Sequence, residues 1–275
     1  MSGISEFRPA KIPSDDRGLC YGDGLFETMR VRHGRVPLLE RHLDRLLRGC
    51  EKLGISAPGR DILIRHIEAA AASLTGEGVV KLLLTRGSGG RGYRPARSGP
   101  RLVTSIHPIP GQRNDRYHSG VEVQLCTTRV GRNPATAGLK HIGRLEQVLA
   151  AMELRDEADE GLMLDELDQV IEGTRSNLFL AGNEGLVTPV LDYSGVAGVM
   201  RDWVLEAADR LGMRAQESPV SLDDLASADE IFLTNSVLGI WPVICIRELG
   251  WESACGPITR RLMNAFNEEI GAWDD

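Results

Sequence analysis

The sequence predicts two α/β domains of mixed sheet with flanking helices. Three observations predict this. Strands and helices alternate loosely, hairpins interrupt the alternation, and one polar, turn-rich stretch divides the chain before its midpoint. The 275 residues are enough for one large domain or two modest ones, with ample core. Apolar residues at 42% and charged residues at 26% are ordinary for a globular protein.

The segment "FETMRVRHGRVPLL" predicts two short strands around a His33-Gly34 turn. In "LLERHLDRLLRGCEKLG", Leu39, Leu43, Leu46, Leu47, Cys50 and Leu53 recur at three and four, a helix face that Gly54 ends. "RDILIRHIEAAAASL" predicts a second helix, and "VVKLLLTRG" and "RLVTSIHPI" predict strands. The stretch "PIPGQRNDRYHSG" is the best linker candidate. The expected organisation is therefore an N-terminal domain over 1–107, a linker over 108–119 and a C-terminal domain over 120–275. In the latter, "GVEVQLCTTR" predicts a strand, "RLEQVLAAMELRDEA" a helix and "GLMLDELDQVIEGT" a hairpin. Strand "NLFLAG", helix "MRDWVLEAADRLG", strands "EIFLTNS" and "PVICIREL" and a helix from Pro257 follow.

The net charge of −7 argues against a nucleic-acid surface, which usually carries a basic stripe. Cys20, Cys50, Cys126, Cys245 and Cys255 are scattered without a CxxC pair, which predicts reduced thiols and no metal. His42, His66 and His141 carry no metal spacing and read as packing or surface residues. The first 18 residues lack the apolar core of a signal peptide, and no 18-residue apolar run exists. A cytoplasmic location is expected.

Lysine is scarce here. Lys11, Lys52, Lys81 and Lys140 are the only lysines among 32 Lys and Arg residues. Lys140 lies between a Gly/Pro/Asn-rich loop and the apolar-periodic "RLEQVLAAM". It reads either as a solvated helix-start residue, slightly opposed by the helix dipole, or as a desolvated amine able to lose its proton, which a guanidinium cannot do. Glu172, at the strand end in "QVIEGTRSNLF", is either exposed or a buried carboxylate paired with a cationic ring nitrogen. Arg45 is either a surface charge or a fork that clamps phosphate. "GVAGVMRDW" places a turn before a helix whose first N–H groups could bind phosphate, or which could simply be capped. Ser236 in "LTNSVLG" is a strand-end hydroxyl. "GSGGRG" formally satisfies GxGxxG, but "YRPARSGP" cannot open the helix a dinucleotide needs. The better reading is a Gly-rich loop presenting Arg86, Arg91 and Tyr93; the alternative is a merely solvated loop.

Five stretches, "DRGLCYGDGLFETMRV", "LLERHLDRL", "LKHIGRLEQVLA", "VIEGTRSNLFL" and "GVAGVMR", occur in an order and spacing that resemble the fold-type IV pyridoxal-phosphate enzymes, or class IV aminotransferases. The likeness runs from about Asp16 to Val243. Within the family, "RGSGGRGY" and "GRNPATAGLKHIGRLEQVLA" are similar to the branch of lyases that act on 4-amino-4-deoxychorismate. The lyases commonly show asparagine where this chain has Gly143.

The resemblance implies pyridoxal 5′-phosphate as cofactor. It makes Lys140 the residue that forms an imine with the cofactor aldehyde, and Glu172 the partner of the pyridine nitrogen. Arg45, the backbone amides of Val199 and Met200, and the Ser236 hydroxyl would hold the phosphate. Phe26, Thr28, Arg91, Tyr93 and Asn235 fall where relatives line the substrate pocket. It further implies elimination of pyruvate from aminodeoxychorismate to give 4-aminobenzoate for folate, in a homodimer whose partner loop completes each site. The alternatives are an aminotransferase for D-amino or branched-chain acids, or a non-catalytic cofactor-binding homologue.

Overall fold

The computed structural model describes residues 11–96, 99–109 and 113–271. They divide into two compact units. The first holds the described residues up to 109 together with Leu139–Gly143; the second holds the rest.

The first unit starts with α1 (Arg17–Tyr21), a single turn whose first N–H groups are capped by the Asp16 carboxylate. Strand β1 (Gly24–Val31) follows, then helices α2 (Leu39–Leu53) and α3 (Arg60–Ala72), and strands β2 (Gly78–Thr85) and β3 (Arg101–His107). The strands form an antiparallel sheet in the order β1-β2-β3. Alternation along β1 sends Leu25, Met29 and Val31 into the core, where Leu43, Leu46 and Cys50 of α2 and Leu63 and Ile67 of α3 meet them. The His33-Gly34 turn forms, with positive φ at both residues, but only an Arg32–Arg35 bridge stands where a second strand was expected. Helix α2 ends at Gly54 as the sequence indicates.

The second unit opens with α4 (Arg113–Ser119), inside the stretch that reads as a linker. Positions 110–112 of that stretch lie outside the described residues. Tyr117 explains the helix: it is buried, and its hydroxyl donates to Asn267 Oδ1 at 3.3 Å, so tertiary packing overrides weak local propensity. Then come β4 (Val121–Leu125), α5 (Leu145–Met152), β5 (Glu160–Leu164), β6 (Val170–Gly173), β7 (Asn177–Gly182) and β8 (Gly185–Pro189). Helix α6 (Val199–Arg210), β9 (Ala215–Ser218), α7 (Leu222–Ser227), β10 (Glu230–Asn235), β11 (Gly239–Ile246), β12 (Trp251–Glu252) and α8 (Pro257–Ile270) complete it.

Nine strands form one sheet in the order β6-β5-β4-β11-β10-β7-β8-β9, with β12 on β11. The pairs β4–β5, β4–β11 and β8–β9 are parallel and the others antiparallel, so the sheet is mixed as expected. Helices α6 and α8 pack on β10 and on each other, with the Trp203 and Phe266 rings edge to face at 4.8 Å. Helix α5 is shorter than its apolar period suggests. Its C-cap residue, Glu153, turns its carboxylate to the backbone N–H and hydroxyl groups of Thr127 and Thr128, which ends the helix there.

Candidate active site

In the first unit the site is built on β1. The Phe26 N–H donates to the Lys140 carbonyl and the Ile142 N–H to the Gly24 carbonyl, both at 3.0 Å, so residues 140–142 run as a short extra edge beside β1. Lys140 therefore sits in extended backbone ahead of α5, not in its first turn. Its Nζ is 4.4 Å from the Phe26 ring centroid, and Lys81 Nζ approaches the same ring at 5.0 Å. Lys140 is half-buried, as are Phe26 and Thr28, which share the β1 face opposite the core.

Arg45 is buried on α2. Its Nε and Nη2 donate to the two Glu27 carboxylate oxygens at 2.8 and 2.5 Å, and His42 Nδ1 lies 2.6 Å from Glu27 Oε2. Burial alone would raise the Glu27 pKa, but the Arg45 charge, with hydrogen bonds from Arg45 and His42, lowers it to about 2. Burial pushes His42 below the usual histidine range; Glu27 opposes that shift, and the Arg45 and Lys140 charges add to it. Sequence reasoning passed over Glu27 and took His42 only as a packing or surface residue. The signal was present: Glu27 has the strand parity of Leu25 and Met29, and His42 and Arg45 are one helical turn apart beside the apolar face of α2.

The loop after β2 holds Arg91 and Tyr93, and among the described residues no helix follows "GSGGRG" before β3. Both residues are exposed, Tyr93 at 87%. The loop backbone is nevertheless held. Arg17 donates to the Gly92 and Tyr93 carbonyls at 2.8 and 2.9 Å, and the Tyr21 ring meets the Tyr93 ring edge-on at 5.7 Å.

In the second unit Glu172 lies on β6 opposite Met163 of β5, and it is buried at 4% exposure. The Val196 N–H donates to its Oε2 at 2.8 Å. Arg144, the N-cap of α5, loses pKa through burial while the Glu172 and Glu146 charges oppose the loss. It is a second residue that the sequence reading did not single out.

Val199 and Met200 form the start of α6, where the first N–H groups have no partner within the helix. The N-cap is Gly198, and no side chain caps the helix there. A Cβ at that position would stand 1.9 Å from Asn177 Oδ1, so any larger residue would force the Asn177 side chain to move. Ser236 is half-buried in the β10–β11 turn. The adjacent Asn235 accepts from the Val237 and Leu238 N–H groups at 3.0 and 2.8 Å, so its side-chain oxygen serves the turn.

The first unit offers a half-buried amine and a held guanidinium, donors suited to an aldehyde and to a phosphate. The second unit, by itself, offers a buried and oriented carboxylate, suited to a basic ring nitrogen, and a helix start free of side-chain capping, suited to a phosphate.

The chain belongs to the amino-transferase class IV family, whose model matches residues 24–246. It is 37% identical to the aminodeoxychorismate lyase of Vibrio harveyi, over 97% of this chain and 100% of that protein. Against a putative branched-chain-amino-acid aminotransferase of Methanocaldococcus jannaschii the identity is 32%, over 97% and 93%. Among solved structures, the 4-amino-4-deoxychorismate lyase from Pseudomonas aeruginosa matches with a TM-score of 0.91 and 44% identity, covering 98% and 97% of the two chains. The mixed α/β fold expected of a fold-type IV enzyme is therefore the fold observed.

Proposed function

We propose that the protein is a pyridoxal 5′-phosphate-dependent lyase that removes pyruvate from 4-amino-4-deoxychorismate and releases 4-aminobenzoate. The observation that carries this reading is the likeness to two such lyases along nearly the whole chain, at 37% and 44% identity. The 32% identity to a putative branched-chain aminotransferase favours amino-group transfer as the second reading.

Bound cofactor supplies an electron sink for the carbon that bears the substrate amine. Lys140 would hold the cofactor through its amine, and its Nζ would take the proton from that carbon. Glu172 keeps a proton on the ring nitrogen by charge pairing. Arg45, the Val199 and Met200 N–H groups and the Ser236 hydroxyl bind the phosphate. Phe26, Thr28, Arg91, Tyr93 and Asn235 line the substrate pocket. Breaking the neighbouring carbon–oxygen bond aromatises the ring, and Lys140 returns its proton to the departing enol, which becomes pyruvate. The atoms balance without a keto acid, which an aminotransferase requires.

The same reading makes the protein a cytoplasmic homodimer serving folate biosynthesis. Leu145, Val148, Leu149 and Met152 all lie exposed along one face of α5, an apolar stripe suited to a second copy. The deciding experiment supplies 4-amino-4-deoxychorismate without any keto acid. Release of 4-aminobenzoate and pyruvate is expected. Turnover only with an amino acid and a keto acid together would establish the second reading instead.

A further inference from the structure

Glu27 is the single charged residue in the row that β1 presents to α2, between Leu25 and Met29. A lone carboxylate there would be costly to bury, and α2 answers it with two partners one helical turn apart. Both carboxylate oxygens of Glu27 accept from Arg45, and Oε2 also meets His42. An ionised carboxylate only accepts, so His42 Nδ1 must carry the hydrogen. His42 Nε2 is buried, and among the described residues it has no hydrogen-bond partner. The ring's one hydrogen bond is therefore to Glu27. The chain thus runs from His42 through Glu27 to the Arg45 guanidinium.

We propose that Glu27 and His42 are positioning residues, which preset the Arg45 guanidinium for the cofactor phosphate. The inference rests on the reading of Arg45 as a phosphate-binding residue. A free arginine side chain loses rotamer entropy when it is fixed. Pairing with Glu27 places that loss in folding, so phosphate meets a fork that is already oriented. Glu27 also balances the Arg45 charge, so Arg45 contributes direction more than net attraction. Three charged or titratable groups act on His42, namely Glu27, Arg45 and Lys140, and its neutral form keeps the cluster from gaining a second cation.

The test compares pyridoxal 5′-phosphate with pyridoxal, which lacks the phosphate, on apo-protein. Binding is followed by visible absorbance, and the bound phosphate by phosphorus NMR. The wild type is expected to prefer the phosphorylated form strongly. Glu27→Gln should lose about tenfold or more of that preference, as outer partners of metal ligands do when removed. Pyridoxal affinity should stay where it was, and the phosphorus resonance should shift. His42→Asn keeps a donor at the Nδ1 position and should retain the preference, whereas His42→Leu should follow Glu27→Gln. A purely structural role would lower both affinities together or neither.

An unchanged preference in Glu27→Gln, alongside a reduced one in Arg45→Ala, would overturn the positioning role. An unchanged preference in Arg45→Ala would overturn the phosphate reading itself. Near-ultraviolet circular dichroism reports whether Glu27→Gln folds. If it does not, the His42 pair decides: equal preference in His42→Asn and His42→Leu overturns the proposal.

Discussion

The Val196 N–H points at Glu172 Oε2 from 2.8 Å, which ties the carboxylate to the segment leading into α6. A glutamine at 172 could still accept this bond through its amide oxygen, so the substitution removes the charge and leaves the geometry. Glu172→Gln should therefore keep the cofactor, which borohydride should still trap on Lys140. Turnover should fall by about two or more orders of magnitude, the scale of one lost electrostatic contact at a reacting centre. Near-normal turnover in single-cycle kinetics would remove Glu172 from its assigned role.

Gly198 carries a second prediction. The added methyl group of Gly198→Ala would collide with Asn177 Oδ1, and Asn177 Nδ2 donates to the Val196 carbonyl at 2.8 Å. The collision therefore moves the start of α6 together with the segment that orients Glu172. We expect a loss of about 1–3 kcal/mol of stability, typical of overpacking, and weaker binding of pyridoxal 5′-phosphate than of the wild type. Urea unfolding and absorbance titration read the two effects separately. An unchanged urea midpoint would show that the loop yields more easily than its contacts imply.

Acid should weaken the first unit in two stages, with the sign set by Glu27 and His42. Both have folded pKa values below their ordinary ones, so each contributes stability that is fully present above its unfolded pKa. The His42 share is lost first, as pH falls below about 6.5, because the unfolded chain then binds the proton more readily. The Glu27 share follows between about 4.3 and the folded value of about 2, and it is worth on the order of 3 kcal/mol. Urea midpoints should be flat from pH 7 to 8 and decline below. His42→Asn should flatten the upper stage alone. A wild-type midpoint that rises on acidification would contradict the assignment.

Most of the architecture was legible where a period was long enough to read. The α2 face with its Gly54 stop and the strand at "NLFLAG" are examples. Short elements such as α1 and β9, of five and four residues, carry too little pattern to read. Helix α4 depends on the distant anchor of Tyr117, and α5 is cut short by the non-local contacts of Glu153. The site divides in the same way. Lys140 stood out by rarity, and Glu172 by its place at the end of an apolar strand. What Glu27 and His42 do was hidden, because it depends on which side chain faces them across the sheet–helix interface. Asn235 was read as a pocket residue, and the structure adds a turn-capping role set by two backbone donors.

The last prediction concerns the loop that carries Arg91 and Tyr93. Its side chains are exposed while its backbone is pinned to α1 through Arg17, an arrangement that presents Arg91 outward from a fixed base. The substrate bears two carboxylates, and Arg91 offers a bidentate donor that the phosphate-binding residues do not supply. Arg91→Ala should therefore weaken substrate binding while sparing cofactor absorbance. Lys140→Ala should abolish the covalent attachment of cofactor, so each variant alone should be nearly inactive. If the loop serves the neighbouring subunit, a mixed dimer contains one site with both residues intact and one with neither. Random reassortment of equal amounts should then restore up to about a quarter of all sites. Light scattering establishes whether dimers form, and tagged subunits establish whether they exchange. No recovery despite proven exchange, or a fully active monomer, would sink the proposal that the loop works in trans.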